Sequence, residues 1–184
     1  RLESLRQNAE TVALTDETRA VLRTALEAAE RAVDGWPLTR VEFWQVAEGL
    51  EEGYARARAA IPSHWRDAED EALHALRQRI VVHRYQMQLV EPLWPRFGKL
   101  WIAEAQRLRE RLGSNQDLAV LGRLAGPHQP LAPWRSRLTP LIGARKANHV
   151  EASRRIAGRL FAERPKAFRR RLLGLWDSAG ELAD

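Results

Sequence analysis

Residues 74–85 contain two histidines, three arginines and a tyrosine, and no acidic residue lies among them. On a helix the apolar residues of this segment form one stripe with polar residues on its two shoulders. One shoulder carries His74, Arg77, Arg84 and Tyr85, and the other carries Arg79, His83 and Gln86. Guanidinium groups match phosphate oxygens in geometry, so a groove lined by these side chains would bind an anion. The alternative is that the arginine stems cover the core while their charged ends stay hydrated, and periodicity alone favours it.

Three further groups of residues are candidate anion ligands. Tyr54 and Arg58 share one face of the preceding helix, and Arg145 and Lys146 lie in a later one. The third group, Lys166 and Arg169, follows Pro165, a residue suited to the first position of a helix. The free N–H groups of a helix start favour an anion beside Lys166. For each group, a solvated basic surface is the competing interpretation.

The elements that must position these residues are all helices. The sequence predicts helices over about residues 16–33, 39–60, 67–90, 96–112, 115–125 and 133–161, and a last helix from Pro165. Thr39 and Glu42 are the predicted capping box of the second helix. Gly113 is predicted to end the fourth helix, and Asn115 to cap the next one. Short polar connections between helices favour an all-α antiparallel bundle.

Charge is distributed unevenly along the 184 residues. The formal net charge is +6, and the positive charge is concentrated after residue 70. A basic segment predicts a polyanionic partner: nucleic acid, an anionic membrane or a phosphate polymer. A structural helical adaptor with a solvated basic face is the alternative without a ligand. The absence of cysteine and of a long apolar run fits a cytoplasmic protein that does not insert into a membrane.

Signatures of catalysis are missing from the sequence. It has no glycine-rich phosphate loop, no His-Glu-x-x-His motif and no Gly-x-Ser-x-Gly motif. It also shows no carboxylate cluster suited to a divalent metal. We therefore expect a binding protein without a cofactor, not an enzyme.

Three stretches of the chain resemble the CHAD domain, the conserved-histidine α-helical domain. The first is His74-x-x-Arg77 running on to Tyr85, and the second is the segment from Leu112-Gly113 through Asp117 to Leu121. The third extends from Arg159 to Phe168. The resemblance covers about residues 48–175 and implies a bundle of the CHAD type, in which two repeated bundles surround a basic channel.

The resemblance also implies a domain division and a function. A CHAD domain has an earlier repeat with its own His-x-x-Arg helix, and no such copy precedes residue 74. Residues 1–66 are therefore assigned to the end of the first repeat and residues 67–184 to the second, with the start of the first repeat missing. The family binds inorganic polyphosphate, which implies targeting to polyphosphate granules and association with a triphosphate-handling enzyme domain. Nucleic acid is then the less favoured partner.

Overall fold

Six α-helices make up most of residues 15–181, the part of the chain that the computed structural model describes. They are α1 (Asp16–Asp34), α2 (Phe43–Ala59), α3 (Asp70–Val90), α4 (Pro95–Leu124), α5 (Arg135–Leu160) and α6 (Pro165–Glu181). Short 3-10 turns cover Leu38–Arg40, Glu91–Leu93 and Ala132–Trp134. No strand occurs in this range, so the prediction of an all-α protein is confirmed.

The chain divides into two compact units between Val41 and Glu42. In the first unit, the hydroxyl of Thr15 caps α1 by accepting a hydrogen bond of 3.2 Å from the backbone N–H of Thr18. Helix α1 has no buried side chain. The predicted division at residue 66 is a different boundary, and the assignment of the two segments to repeats stays a prediction.

The second unit is built around α4, which packs along α3 on one side and α5 on the other, while α2 packs against α3 and α6. Apolar residues spaced three or four apart bury one face of each helix. The largest buried side chains of this core include Tyr54, Leu76, Ile80, Leu108, Leu112 and Phe168. The core therefore fixes α3 and α4, the two helices that carry the first and second stretches singled out in the sequence.

Helix α4 continues through Gly113, so the predicted break and restart at residues 113–115 is wrong. No glycine among the described residues has a positive φ. The glycine instead provides space, because a Cβ atom there would lie 3.4 Å from Nε of Arg77 on α3. Leu112 and Asn115 are both buried, which extends the core face of α4 across the glycine.

The start of α2 also differs from the prediction. The capping box is formed by Glu42 and Gln45, and the helix begins at Phe43 instead of residue 39. The end of α3 at Val90, before Pro92, agrees with the prediction. None of the helices in the described range is both long and apolar enough to cross a bilayer.

Candidate anion-binding site

Three side chains of α3 lie on the side of the helix that faces α4. His74, Arg77 and Arg84 are separated by three and seven residues, which places them on one helix face. All three are half-buried. Because Nε of Arg77 lies beside Gly113, this face, which we call the α3 basic face, borders α4.

Several nitrogen atoms of the α3 basic face lack hydrogen-bond partners among the described residues. Nε of Arg77, Nε of Arg84 and Nδ1 of His74 are buried and have no hydrogen-bond partner within residues 15–179. Neither arginine has a carboxylate within 4.0 Å in that range. Desolvated donors of this kind gain free energy when an anionic oxygen accepts from them.

Two neighbours hold these side chains in place. Nε2 of His74 lies 3.0 Å from Nε2 of Gln78, one turn further along α3. The guanidinium carbon of Arg84 lies 4.3 Å from the centroid of the Tyr85 ring, a cation–π distance. Tyr85 itself is exposed, so it supports Arg84 from the solvent side.

A second group of basic side chains lies between α4 and α5. Burial, followed by the positive charges of Arg111 and Arg145, lowers the pKa of His149. Nδ1 of His149 is buried and has no hydrogen-bond partner among the described residues. Arg145 and His149 lie in one basic stretch of the sequence, four residues apart and so on one helix face, whereas no sequence signal indicated Arg111.

Two of the candidate cations are neutralised by carboxylates. Nζ of Lys146 lies 2.7 Å from Oδ1 of Asp70. Nε of Arg169 lies 3.3 Å from Oε2 of Glu51, with Glu48 as a more distant partner. An anion would have to compete with these acids for either side chain.

Tyr54 lies in the core, away from any ligand surface. Its hydroxyl donates to the backbone carbonyl oxygens of Leu160 and Glu163, at 3.3 and 3.2 Å. Its ring stacks on Phe168 with the centroids 4.3 Å apart. Burial raises the pKa of Tyr54 to about 12, so the hydroxyl remains protonated. Its function in this structure is to join α2 to the end of α5.

His83 is also fully buried. Its Nε2 accepts a hydrogen bond of 2.9 Å from the indole N–H of Trp101. Burial lowers the pKa of His83 to about 4, so the ring is neutral at pH 7. His83 therefore lies in the core as a neutral ring and not on the α3 basic face.

The other candidates are spread over the surface. Arg79, Arg145 and Lys166 are exposed, and Arg58 on α2 is half-buried. Arg79 is two residues from Arg77, which turns it about 160° away from the α3 basic face. The structure thus brings together His74, Arg77 and Arg84, supported by Tyr85, and leaves the remaining candidates at separate positions.

Comparison with known proteins gives a match to a protein-family model. The family model of the CHAD domain matches residues 1–126, about two thirds of the chain. No curated protein and no solved structure matches the chain. The matched range contains the α3 basic face and Gly113, and it ends before the stretch from Arg159 to Phe168, for which the resemblance stays a prediction.

Proposed function

Because this chain belongs to the CHAD domain family, we propose that it binds inorganic polyphosphate on the α3 basic face without hydrolysing it. The observation that carries the proposal is the set of buried, unpartnered nitrogen atoms on His74, Arg77 and Arg84. A polyphosphate chain supplies a row of anionic oxygens that can accept from several such donors.

The dimensions of the face suit a narrow chain. Ten residues separate His74 from Arg84, which corresponds to about 15 Å along the helix axis. A phosphate chain is narrow enough to lie along the α3 basic face, beside α4. A DNA duplex is wider and requires a helix that projects outward into its major groove. Half-buried side chains beside a neighbouring helix favour the narrower polyanion.

The remaining parts of the proposal concern catalysis and location. Phosphoryl transfer normally uses metal ions or positioned cations together with a group that orients the nucleophile. The sequence has no motif of this kind, and the described residues form no group of three His, Asp or Glu side chains that could hold a metal. We propose a binding module that directs its protein to cytoplasmic polyphosphate granules, with a triphosphate-handling enzyme domain as a partner.

The decisive experiment compares two double variants with equal loss of charge. Arg77→Ala/Arg84→Ala removes the guanidinium groups of the α3 basic face. Arg123→Ala/Arg135→Ala removes two exposed arginines that have no carboxylate partner within the described residues. A charged hydrogen bond contributes about 1.5–3 kcal/mol, or roughly one to two decades in affinity. We expect the first variant to lose at least tenfold in polyphosphate affinity by calorimetry, and the second to lose much less.

Two outcomes would contradict the proposal. Equal losses from both double variants would show that binding depends on total charge and not on the α3 basic face. Duplex DNA that displaces polyphosphate at equal phosphate concentration would favour nucleic acid as the partner. Incubation of the purified protein with polyphosphate and Mg²⁺ tests catalysis, and we expect no release of orthophosphate.

A further inference from the structure

A cleft of about 1050 Å³ lies between the start of α3, the middle of α4 and α5. Its lining includes Trp65 and Arg66 from the segment before α3, Asn115 from α4, and Lys146 from α5. None of His74, Arg77 and Arg84 lines the cleft, so its residues are distinct from those of the α3 basic face.

Asn115 is the unusual feature of this cleft. Its side chain is 1% exposed, yet neither Oδ1 nor Nδ2 has a hydrogen-bond partner in residues 15–179. A buried carboxamide without partners costs free energy, and almost all buried polar groups in proteins are paired. A ligand that offers a donor and an acceptor side by side would satisfy both atoms. Adenine offers both on one edge, since its N6 amino group donates and its N7 accepts, and asparagine is a common partner of that edge.

The other walls of the cleft are suited to the rest of a nucleotide. Trp65 and Leu73 provide apolar surface for a ring. At the rim, Lys146 is paired with Asp70, whereas Arg66 has no carboxylate within 4.0 Å in the described range. A free guanidinium is well suited to phosphate oxygens. The volume is slightly above the range of about 300–1,000 Å³ typical of small-molecule sites.

From these observations we infer that the cleft binds an adenine nucleotide, with Asn115 on the base and Arg66 on the phosphates. This site goes beyond the proposed polyphosphate function and uses different residues. A nucleotide bound here would also contact α3, α4 and α5 together, since all three helices line the cleft.

The test uses ADP as the probe and calorimetry of the whole chain. Asn115→Leu keeps the branched shape of the side chain and removes both hydrogen-bonding atoms. We expect it to weaken ADP binding at least tenfold while thermal stability is retained, because an unsatisfied amide is replaced by an apolar group. The matched control is Gln116→Leu, which removes a carboxamide from the next position of α4, outside the cleft; it should leave ADP affinity unchanged.

A second variant keeps the test decisive if Asn115→Leu does not fold. Arg66→Ala changes an exposed residue outside the helices, and should weaken ADP at least tenfold while adenosine binding is unchanged. The inference is overturned if ADP does not bind the unmodified protein, or if both variants bind it normally. It is also overturned if ADP affinity falls in Arg77→Ala/Arg84→Ala, because ADP would then occupy the α3 basic face. The proposed function is tested separately. It is supported if polyphosphate binding is lost in Arg77→Ala/Arg84→Ala and kept in Asn115→Leu and Arg66→Ala, whatever the result with ADP.

Discussion

Replacement of Gly113 by alanine tests directly whether α4 is continuous. If the glycine ended a helix in the left-handed conformation, a Cβ atom would be strained there, at a cost of about 1–2 kcal/mol. In the structure Gly113 is inside a helix without a positive φ. Alanine is then favoured over glycine by about 0.5–1 kcal/mol. Its Cβ would approach Nε of Arg77 at 3.4 Å, which is ordinary contact with the end of a flexible side chain.

The same substitution at Gly98, in the first part of α4, provides a control of opposite sign. A Cβ atom there would lie 2.8 Å from the Cα atom of Glu91, too close for a contact with backbone. Overpacking of this kind costs about 1–3 kcal/mol, which exceeds the gain in helix propensity. We therefore expect Gly98→Ala to destabilise the protein by roughly 1 kcal/mol.

Equilibrium unfolding in urea measures both changes. Gly113→Ala should raise the free energy of unfolding by about 0.5–1 kcal/mol, and Gly98→Ala should lower it, with unchanged slopes against urea. A loss of 1 kcal/mol or more at Gly113 would mean that α4 breaks at this residue, as the sequence alone predicted. A higher free energy of unfolding for Gly98→Ala would contradict the close approach of α4 to Glu91.

Three further predictions concern titratable side chains. The pKa of His83 is about 4 in the folded protein and about 6.5 in the unfolded chain, so its contribution to stability is complete above pH 6.5 and is lost, by roughly 3 kcal/mol, as pH falls toward 4. His83→Gln keeps a hydrogen-bond acceptor but does not titrate, and should remove that part of the pH dependence of unfolding. An unchanged dependence would contradict a buried, neutral His83. Tyr54→Phe should lower the free energy of unfolding by about 1–2 kcal/mol, because the hydrogen bonds to two backbone carbonyl oxygens are lost. Polyphosphate affinity should not change. A loss of affinity as well would place Tyr54 in the polyphosphate-binding site. The α3 basic face does not include His149, so NMR titration should give the same lowered pKa for His149 with and without polyphosphate. Proton uptake by His149 on binding would show that the phosphate chain also contacts Arg111 and Arg145.

The local features of this protein were determined by its sequence. Helix periodicity and proline positions predicted the all-α class and the end of α3 at Val90. The spacing of His74, Arg77 and Arg84 placed them on one face, because the helix repeat alone fixes which neighbours along the chain share a side. The stretch from His74 to Tyr85 also led to the CHAD family, which the match over residues 1–126 confirms.

The structure of α4 was decided by packing between helices. Residues 112–115 are leucine, glycine, serine and asparagine, a composition typical of the end of a helix. Local propensity could not show that the glycine is instead needed within a helix, to leave space for a side chain of the neighbouring helix. Arg77 passes beside Gly113, and this contact joins residues 36 positions apart. The buried carboxamide of Asn115 follows from the same continuity of α4, so the cleft could not be predicted either.

Partners of the charged and titratable groups likewise depended on tertiary structure. A helical wheel placed His83 at the edge of the apolar stripe, and only the aromatic residues around it, with Trp101 from α4, made it a neutral core residue. Lys146 is neutralised by Asp70, 76 positions earlier, whereas Arg77 and Arg84 have no such partner in the described chain. The sequence specifies how many charges there are and which helix face carries them. Which of them remain available to a ligand depends on the carboxylates that the folded chain brings within hydrogen-bonding distance.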